Sequence, residues 1–241
     1  MTDEEESPAQ ATVRQTLDRL RGRLIVSCQA YPGEAMSGSG TMVLMAQAVV
    51  VGGAAGVRLQ GIADIRAGAA ALDVPIIGLL KQGQDEVFIT PTLGAALAVA
   101  EAGADIVAID GTRRRRPDGL SLAETVAGLR SASGALIMAD CGSLDDALAA
   151  EQAGVDILGT TLAGYTGERP TTPGPDLELV ALLAAECELP VIAEGRIRSP
   201  ADAAAAIAAG AWSVCVGTAI THPSTITSGF VQALDERSSP G

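Results

Sequence analysis

Gly103-Ala104-Asp105-Ile106-Val107 has three near-copies in this chain: Gly53-Ala54-Ala55-Gly56-Val57, Gly154-Val155-Asp156-Ile157-Leu158 and Gly210-Ala211-Trp212-Ser213-Val214. Their leading glycines are spaced by 50, 51 and 56 residues. Each follows an alanine-rich stretch of helical pattern and precedes a short strand, so glycine supplies the left-handed stop that ends the helix. Between the copies lie further short apolar runs bounded by turn signals, which read as strands buried on both faces of a parallel sheet. The period is two βα units, and four periods give eight.

Strands are expected near 24–28, 55–59, 75–80, 106–110, 135–139, 157–160, 190–193 and 213–217. Helices are expected near 40–51, 62–72, 91–102, 121–131, 143–153, 176–186, 199–209 and 223–235. Ser143 with Asp146, and Ser199 before Pro200, are helix start signals. A further helix near 12–21 is placed to cover the amino-terminal end of a barrel. Eight such units match a single (β/α)8 TIM barrel, which typically takes about 250 residues. A doubly wound open sheet is the alternative, and it calls for Gly-x-Gly-x-x-Gly after the first strand. That position reads Gln29-Ala30-Tyr31-Pro32-Gly33, which is not such a turn.

The acidic stretch Met1–Gln10, with Asp3, Glu4, Glu5 and Glu6, reads as part of a flexible tail over 1–11. It lacks the positive start and apolar middle of a secretory signal. The catalytic barrel is expected over 12–236 and a short tail over 237–241. The chain is 48% hydrophobic and 2% aromatic, so its core is built from Ala, Val, Leu and Ile. A net charge of −13 argues against general nucleic-acid binding, which needs a basic face. No apolar run reaches the roughly 18–20 residues of a membrane span. Four cysteines without a Cys-x-x-Cys pair point to a cytoplasmic protein with neither disulfides nor structural zinc. No metal or cofactor is expected, since no His/Cys/Asp cluster has ligand spacing.

Four strands end on one reactive or polar side chain. Leu24-Ile25-Val26-Ser27-Cys28 leads to Gln29, and Ile76-Ile77-Gly78-Leu79-Leu80 to Lys81. Ala135-Leu136-Ile137-Met138-Ala139 leads to Asp140, and Pro190-Val191-Ile192-Ala193 to Glu194. The intervening strands offer Arg58, Asp110, Thr160 with Thr161, and Thr218. In a barrel these residues meet at the carboxyl-terminal rim, where such enzymes place their active sites. Lys81 there can carry a proton if burial lowers its basicity, or form a Schiff base. Glycine-rich segments follow strands seven and eight: Gly195-Arg196, and Gly217-Thr218 with His222 close behind. That is the common phosphate position of these barrels, so a phosphorylated small molecule is expected. His222 can equally cap a helix. Arg113 to Arg116 read as a loop that pairs with local carboxylates or draws in an anionic substrate. Cys28 and Cys141 would be the members of any two-thiol racemase pair.

The motifs Leu24 to Gln29, Pro75 to Lys81, Ile89-Thr90-Pro91-Thr92, Ile109 to Arg114, Gly159 to Thr166 and Val191 to Ile197 resemble, in order, those of the N-acetylmannosamine-6-phosphate 2-epimerases of sialic-acid catabolism. The resemblance runs from about residue 22 to 230 and implies a (β/α)8 barrel without cofactor. It implies interconversion of N-acetylmannosamine 6-phosphate and N-acetylglucosamine 6-phosphate, in a protein that forms a homodimer. Carried over motif by motif, Lys81 and Glu194 are the acid/base pair, and Gln29, Arg58 and Asp140 hold the sugar. Gly195, Arg196, Gly217, Thr218 and His222 then surround the phosphate. Two positions depart from the pattern. His222 stands where arginine is frequent, and a neutral imidazole offers a phosphate less charge than guanidinium. Gln82 stands where a basic residue often follows the lysine. Two alternatives remain: another phosphosugar isomerase or aldolase on the same barrel, or a sugar-phosphate-binding regulator without catalysis.

Overall fold

The computed structural model describes residues 8–30, 33–37, 40–83 and 86–238. Eight parallel strands close into one barrel in chain order, β1 pairing with both β2 and β8. They are β1 Leu24–Cys28, β2 Gly56–Gln60, β3 Ile76–Leu79, β4 Ile106–Asp110, β5 Leu136–Asp140, β6 Ile157–Gly159, β7 Val191–Glu194 and β8 Ser213–Val216. All eight fall where the sequence places them, to within a residue or two. The helices are α1 Pro8–Leu20, α2 Thr41–Val51, α3 Ile62–Ala71, α4 Leu93–Glu101, α5 Leu122–Ala132, α6 Leu144–Ala153, α7 Leu177–Glu186, α8 Pro200–Ala208, α9 Thr218–Thr221 and α10 Pro223–Ser238.

The quasi-repeat is a device for closing the barrel. In all four copies the glycine is left-handed, with φ of 100°, 99°, 88° and 107° at Gly53, Gly103, Gly154 and Gly210. Two residues on, a backbone N–H donates to the carbonyl of the first or second residue of the preceding strand. The pairs are Ala55 to Leu24, Asp105 to Ile76, Asp156 to Ile137 and Trp212 to Val191. Where the third position is aspartate, its carboxylate also accepts a strand N–H: Asp105 from Ile76 at 2.8 Å and Asp156 from Ile137 at 2.7 Å. Trp212 instead donates its indole N–H to the Leu17 carbonyl of α1. Ser143 and Ser199 cap α6 and α8, accepting from the N–H of Asp146 and Asp202.

Strand alternation divides the core in two. Val26, Val57, Leu59, Val107, Ile109, Ile137 and Leu158 face outward under the helices. Ile25, Ile77, Leu79, Ile106, Leu136, Met138, Ile157 and Ile192 fill the barrel, with Leu20 and Leu17 of α1 packed against them. A barrel interior layered with branched apolar side chains is a solid core, not a pore. The extra helix thus plugs the amino-terminal end, as its position suggests.

Two boundaries differ. α1 begins at Pro8, so residues 8–11 extend the helix instead of the acidic tail, whose residues 1–7 lie outside the described residues. α10 runs on to Ser238, into the expected carboxyl-terminal tail, of which 239–241 lie outside the described residues. A short helix, α9, also intervenes between β8 and α10.

Candidate active site

The same alternation that fills the barrel with aliphatics turns polar at its carboxyl-terminal end. Arg58 lies between the outward Val57 and Leu59, so its side chain enters the barrel, where it is 1% exposed. Nη1 donates to Asp140 Oδ1 at 3.0 Å and Nη2 to Asp140 Oδ2 at 2.6 Å. Nη1 also donates to Glu194 Oε2 at 2.7 Å. This is a bidentate Arg–carboxylate pair with a second carboxylate attached, the geometry in which charge-assisted bonds are strongest. The Thr161 hydroxyl lies 2.7 Å from Asp140 Oδ1 and 3.3 Å from Glu194 Oε2. Thr160 anchors the backbone instead: its hydroxyl donates to the Glu194 carbonyl and accepts from the Glu194 N–H.

Lys81 follows β3 and starts a hairpin-like return. Its backbone bridges to Ile89, and the flanking Gln82 and Thr90 N–H groups donate to Phe88 and Leu80. The half-buried amine therefore leaves a fixed segment. Burial, then the neighbouring Arg58 charge, holds Lys81 below the ordinary lysine range, while Glu194 and Asp140 pull it back up. Burial pushes the Glu194 carboxyl up, with Asp140 adding to the rise and Arg58 opposing it. Burial also works against the charge of Arg58, but Asp140 and Glu194 outweigh it and the guanidinium is held firmly protonated. An amine brought down and an acid brought up approach each other in proton affinity, as a reversible proton exchange between two groups requires.

Lys81, Glu194, Gln29 and Arg58 line one cavity of about 1150 Å³, together with Gly195, Arg196, Gly217, Thr218 and His222. Asp140 does not line it. Fully buried, it reaches the cavity only through Arg58 and Thr161, so where a sugar contact was expected it is placed to support the arginine that lines the cavity. Arg196 lines the cavity, but its polar groups are engaged by the protein. Its guanidinium donates to the Ala163 and Gly174 carbonyls and to Thr172, strapping the β6–α7 loop to β7, while Tyr165 lies over it at 5.3 Å. Gly217 and Thr218 form the start of α9, where no side chain caps the helix. His222 ends α9, with Nε2 at 3.0 Å from the Gln29 carbonyl and Nδ1 at 3.7 Å from Glu34. It both lines the cavity and stands at the end of the helix.

The arginine run pairs mainly with local carboxylates. Arg113 meets Asp145, Asp146 and Glu168, and Arg114 meets Asp110. Arg114 also borders the cavity, a position that nothing in a run of four identical residues singles out. Cys28 and Cys141 are buried in the outer core, away from the cavity, and burial pushes the Cys28 thiol up to about 12 and the Cys141 thiol well above its ordinary range. A two-thiol pair is therefore overturned. Among the described residues no group of His, Cys, Asp and Glu could hold a metal ion, and no helix is long and apolar enough to cross a membrane.

A closed barrel whose carboxyl-terminal mouth gathers an amine, a guanidinium and a carboxylate around one cavity has the architecture of a (β/α)8 enzyme. The NanE family, described as "Putative N-acetylmannosamine-6-phosphate epimerase", matches residues 42–236. A protein of Cutibacterium acnes named as such a 2-epimerase is 54% identical over 217 residues, 89% of this chain and 95% of its own. A relative from Caldanaerobacter subterraneus subsp. tengcongensis with the same name is 42% identical, covering 92% and 94%. The solved N-acetylmannosamine-6-phosphate 2-epimerase from Clostridium perfringens superposes with a TM-score of 0.87 at 38% identity, covering 90% of this chain and 95% of that one. The chain belongs to the NanE epimerase family.

Proposed function

We propose that this enzyme interconverts N-acetylmannosamine 6-phosphate and N-acetylglucosamine 6-phosphate by proton transfer at C2, with Lys81 and Glu194 as the acid/base pair. The observation that carries this reading is the shared cavity of these two groups, which rise from strands half a barrel apart. In the open-chain sugar the C2–H lies beside the C1 aldehyde, so its removal gives an enolate. One group takes the proton from one face and the other returns a proton to the opposite face, which inverts C2. Protonated Lys81 and Arg58 stabilise the enolate oxygen as charge develops there. Acid–base placement typically gives about 10²–10⁴-fold, so positioning and this electrostatic effect supply the remainder.

Charge supports a phosphorylated substrate. The protein carries a net −13, yet among the described residues Arg58, Lys81, Arg114, Arg196 and Arg198 border the cavity against a single lining carboxylate, Glu194. Such a basic cleft in an acidic molecule concentrates anions. The loops at Gly195-Arg196 and Gly217-Thr218 supply the phosphate contacts through their backbone, since the Arg196 side chain is engaged elsewhere. The purified protein, followed by NMR, should epimerise N-acetylmannosamine 6-phosphate and leave the unphosphorylated sugar almost untouched. In heavy water the product should carry deuterium at C2. Full retention of the original hydrogen would exclude a solvent-exchanging transfer.

A homodimer belongs to the same reading. Phe230, Val231 and Leu234 on α10 are 72%, 50% and 67% exposed, an apolar stripe of the kind that marks self-association. Sedimentation should give twice the chain mass, and Phe230→Glu should halve it. A cytoplasmic setting agrees with four free cysteines.

A further inference from the structure

We propose that Thr161 is a positioning residue for Glu194, its hydroxyl fixing the carboxylate against Asp140 in the orientation that proton transfer needs. The inference rests on the reading of Glu194 given above.

Three groups reach Glu194 within the barrel from other strands. Arg58 of β2 donates to Oε2 at 2.7 Å, and Thr161 beyond β6 lies 3.3 Å from the same oxygen. Cys215 of β8 stands opposite Glu194 in the strand pairing, and its thiol works to lower the carboxyl. Lys81, just after β3, and Asp140 of β5 act on it by charge. Arg58 holds Glu194 through one bond to one oxygen, Oε2, which leaves the carboxylate free to swing about that contact. Thr161 spans the same two carboxylates with a single hydroxyl, 2.7 Å from Asp140 Oδ1. Together they close a ring of Arg58, Asp140, Thr161 and Glu194, so the orientation of one carboxylate is transmitted to the other.

The backbone is shaped for this contact. A Cβ on Gly159 would lie 2.4 Å from Met138 Cε and 3.3 Å from both Asp140 Oδ1 and Thr161 Oγ1. The bare glycine leaves the two oxygens room to meet. Thr160, the adjacent threonine, holds only the Glu194 main chain. The side chain is left to Thr161, Arg58 and Cys215.

A misplaced catalytic group costs on the order of 10²-fold. Thr161→Val keeps the shape of the side chain and removes the hydroxyl. It should lower kcat about 10–100-fold with KM changed less than about threefold, and Thr161→Ser should restore most of the loss. A donor to a carboxylate favours its ionised form, so without the hydroxyl Glu194 titrates at higher pH. That titration can be followed by ¹³C NMR of the glutamates in the free protein, with Glu194→Gln as the assignment control. It should move up in Thr161→Val and stay in Thr161→Ser. An unmoved Glu194 titration in Thr161→Val, or equal defects in Val and Ser, would overturn the proposal. The titration needs no turnover: a parent protein without epimerase activity whose Glu194 still responds refutes the reaction and leaves this contact standing.

Discussion

Lys81→Ala and Glu194→Gln should each reduce epimerisation by at least about 10³-fold, the upper range expected for a positioned acid or base, while the fold stays intact. Both side chains stand at the cavity wall outside the aliphatic core, so their loss leaves the barrel layers untouched. Their effects should not add. If the two act as one proton-moving unit, the double variant is little worse than either single one. The residual chemistry is more informative than the loss. In each single variant the surviving group still faces one side of C2, so it should exchange that hydrogen with solvent in one epimer and leave the other alone. The two variants should therefore label opposite epimers in heavy water. Exchange of both epimers by one variant would mean that a single group serves both faces, and the two-sided mechanism would fall. Near-normal turnover in either variant would remove the pair altogether.

What the sequence reveals of this site follows the local part of the physics. A strand alternates its side chains with period two, and a parallel barrel puts all its carboxyl ends on one rim. Lys81, Asp140 and Glu194 were legible for that reason, each as a lone polar group after an apolar run. The repeat was legible because a left-handed glycine and a strand-capping aspartate are local requirements. Arg58 was half legible. Its place in β2 follows from the sequence, but its partners lie 82 and 136 residues away and meet it only when the barrel closes. Asp140 was placed at the rim but read as a sugar contact, since burial behind Arg58 is a property of the assembled interior. Arg196 was half legible too: its place at the cavity follows from the sequence, its side-chain partners do not. Next to Gly195 it reads as a phosphate clamp, yet it sits in the left-handed region at φ 53° and is spent on three bonds to the β6–α7 loop. Thr161 had no signal beyond standing at a strand end, because a threonine becomes informative only through the two carboxylates it touches.

Arg58→Met should be the most damaging single change to the molecule as a whole. Arg58 is 1% exposed and its partner Asp140 0%, so removing the guanidinium strands a fully buried carboxylate and leaves Glu194, at 13%, beside it. Breaking a buried pair from one side typically costs about 3–5 kcal/mol, a large share of the roughly 5–15 kcal/mol that a folded domain has to spare. The loss should depend on pH with a definite sign. Burial already pushes the Glu194 carboxyl up, and without Arg58 it loses the charge that opposes the rise, so it holds its proton more tightly in the folded state than in the unfolded one. Stability then falls as pH rises from the ordinary carboxylate range through its raised folded value. Thermal melts should show the largest deficit at neutral and alkaline pH and a smaller one near pH 5. Activity should fall by at least about 10²–10³-fold even where the variant is folded, the effect of deleting a donor to developing negative charge. The double change Arg58→Met with Asp140→Leu separates the two roles. Replacing both partners of a buried pair by apolar groups is often neutral or stabilising, so the double variant should regain stability while its turnover stays lost. Recovery of turnover along with stability would show that the guanidinium serves only the fold, and that the enolate oxygen finds its support elsewhere.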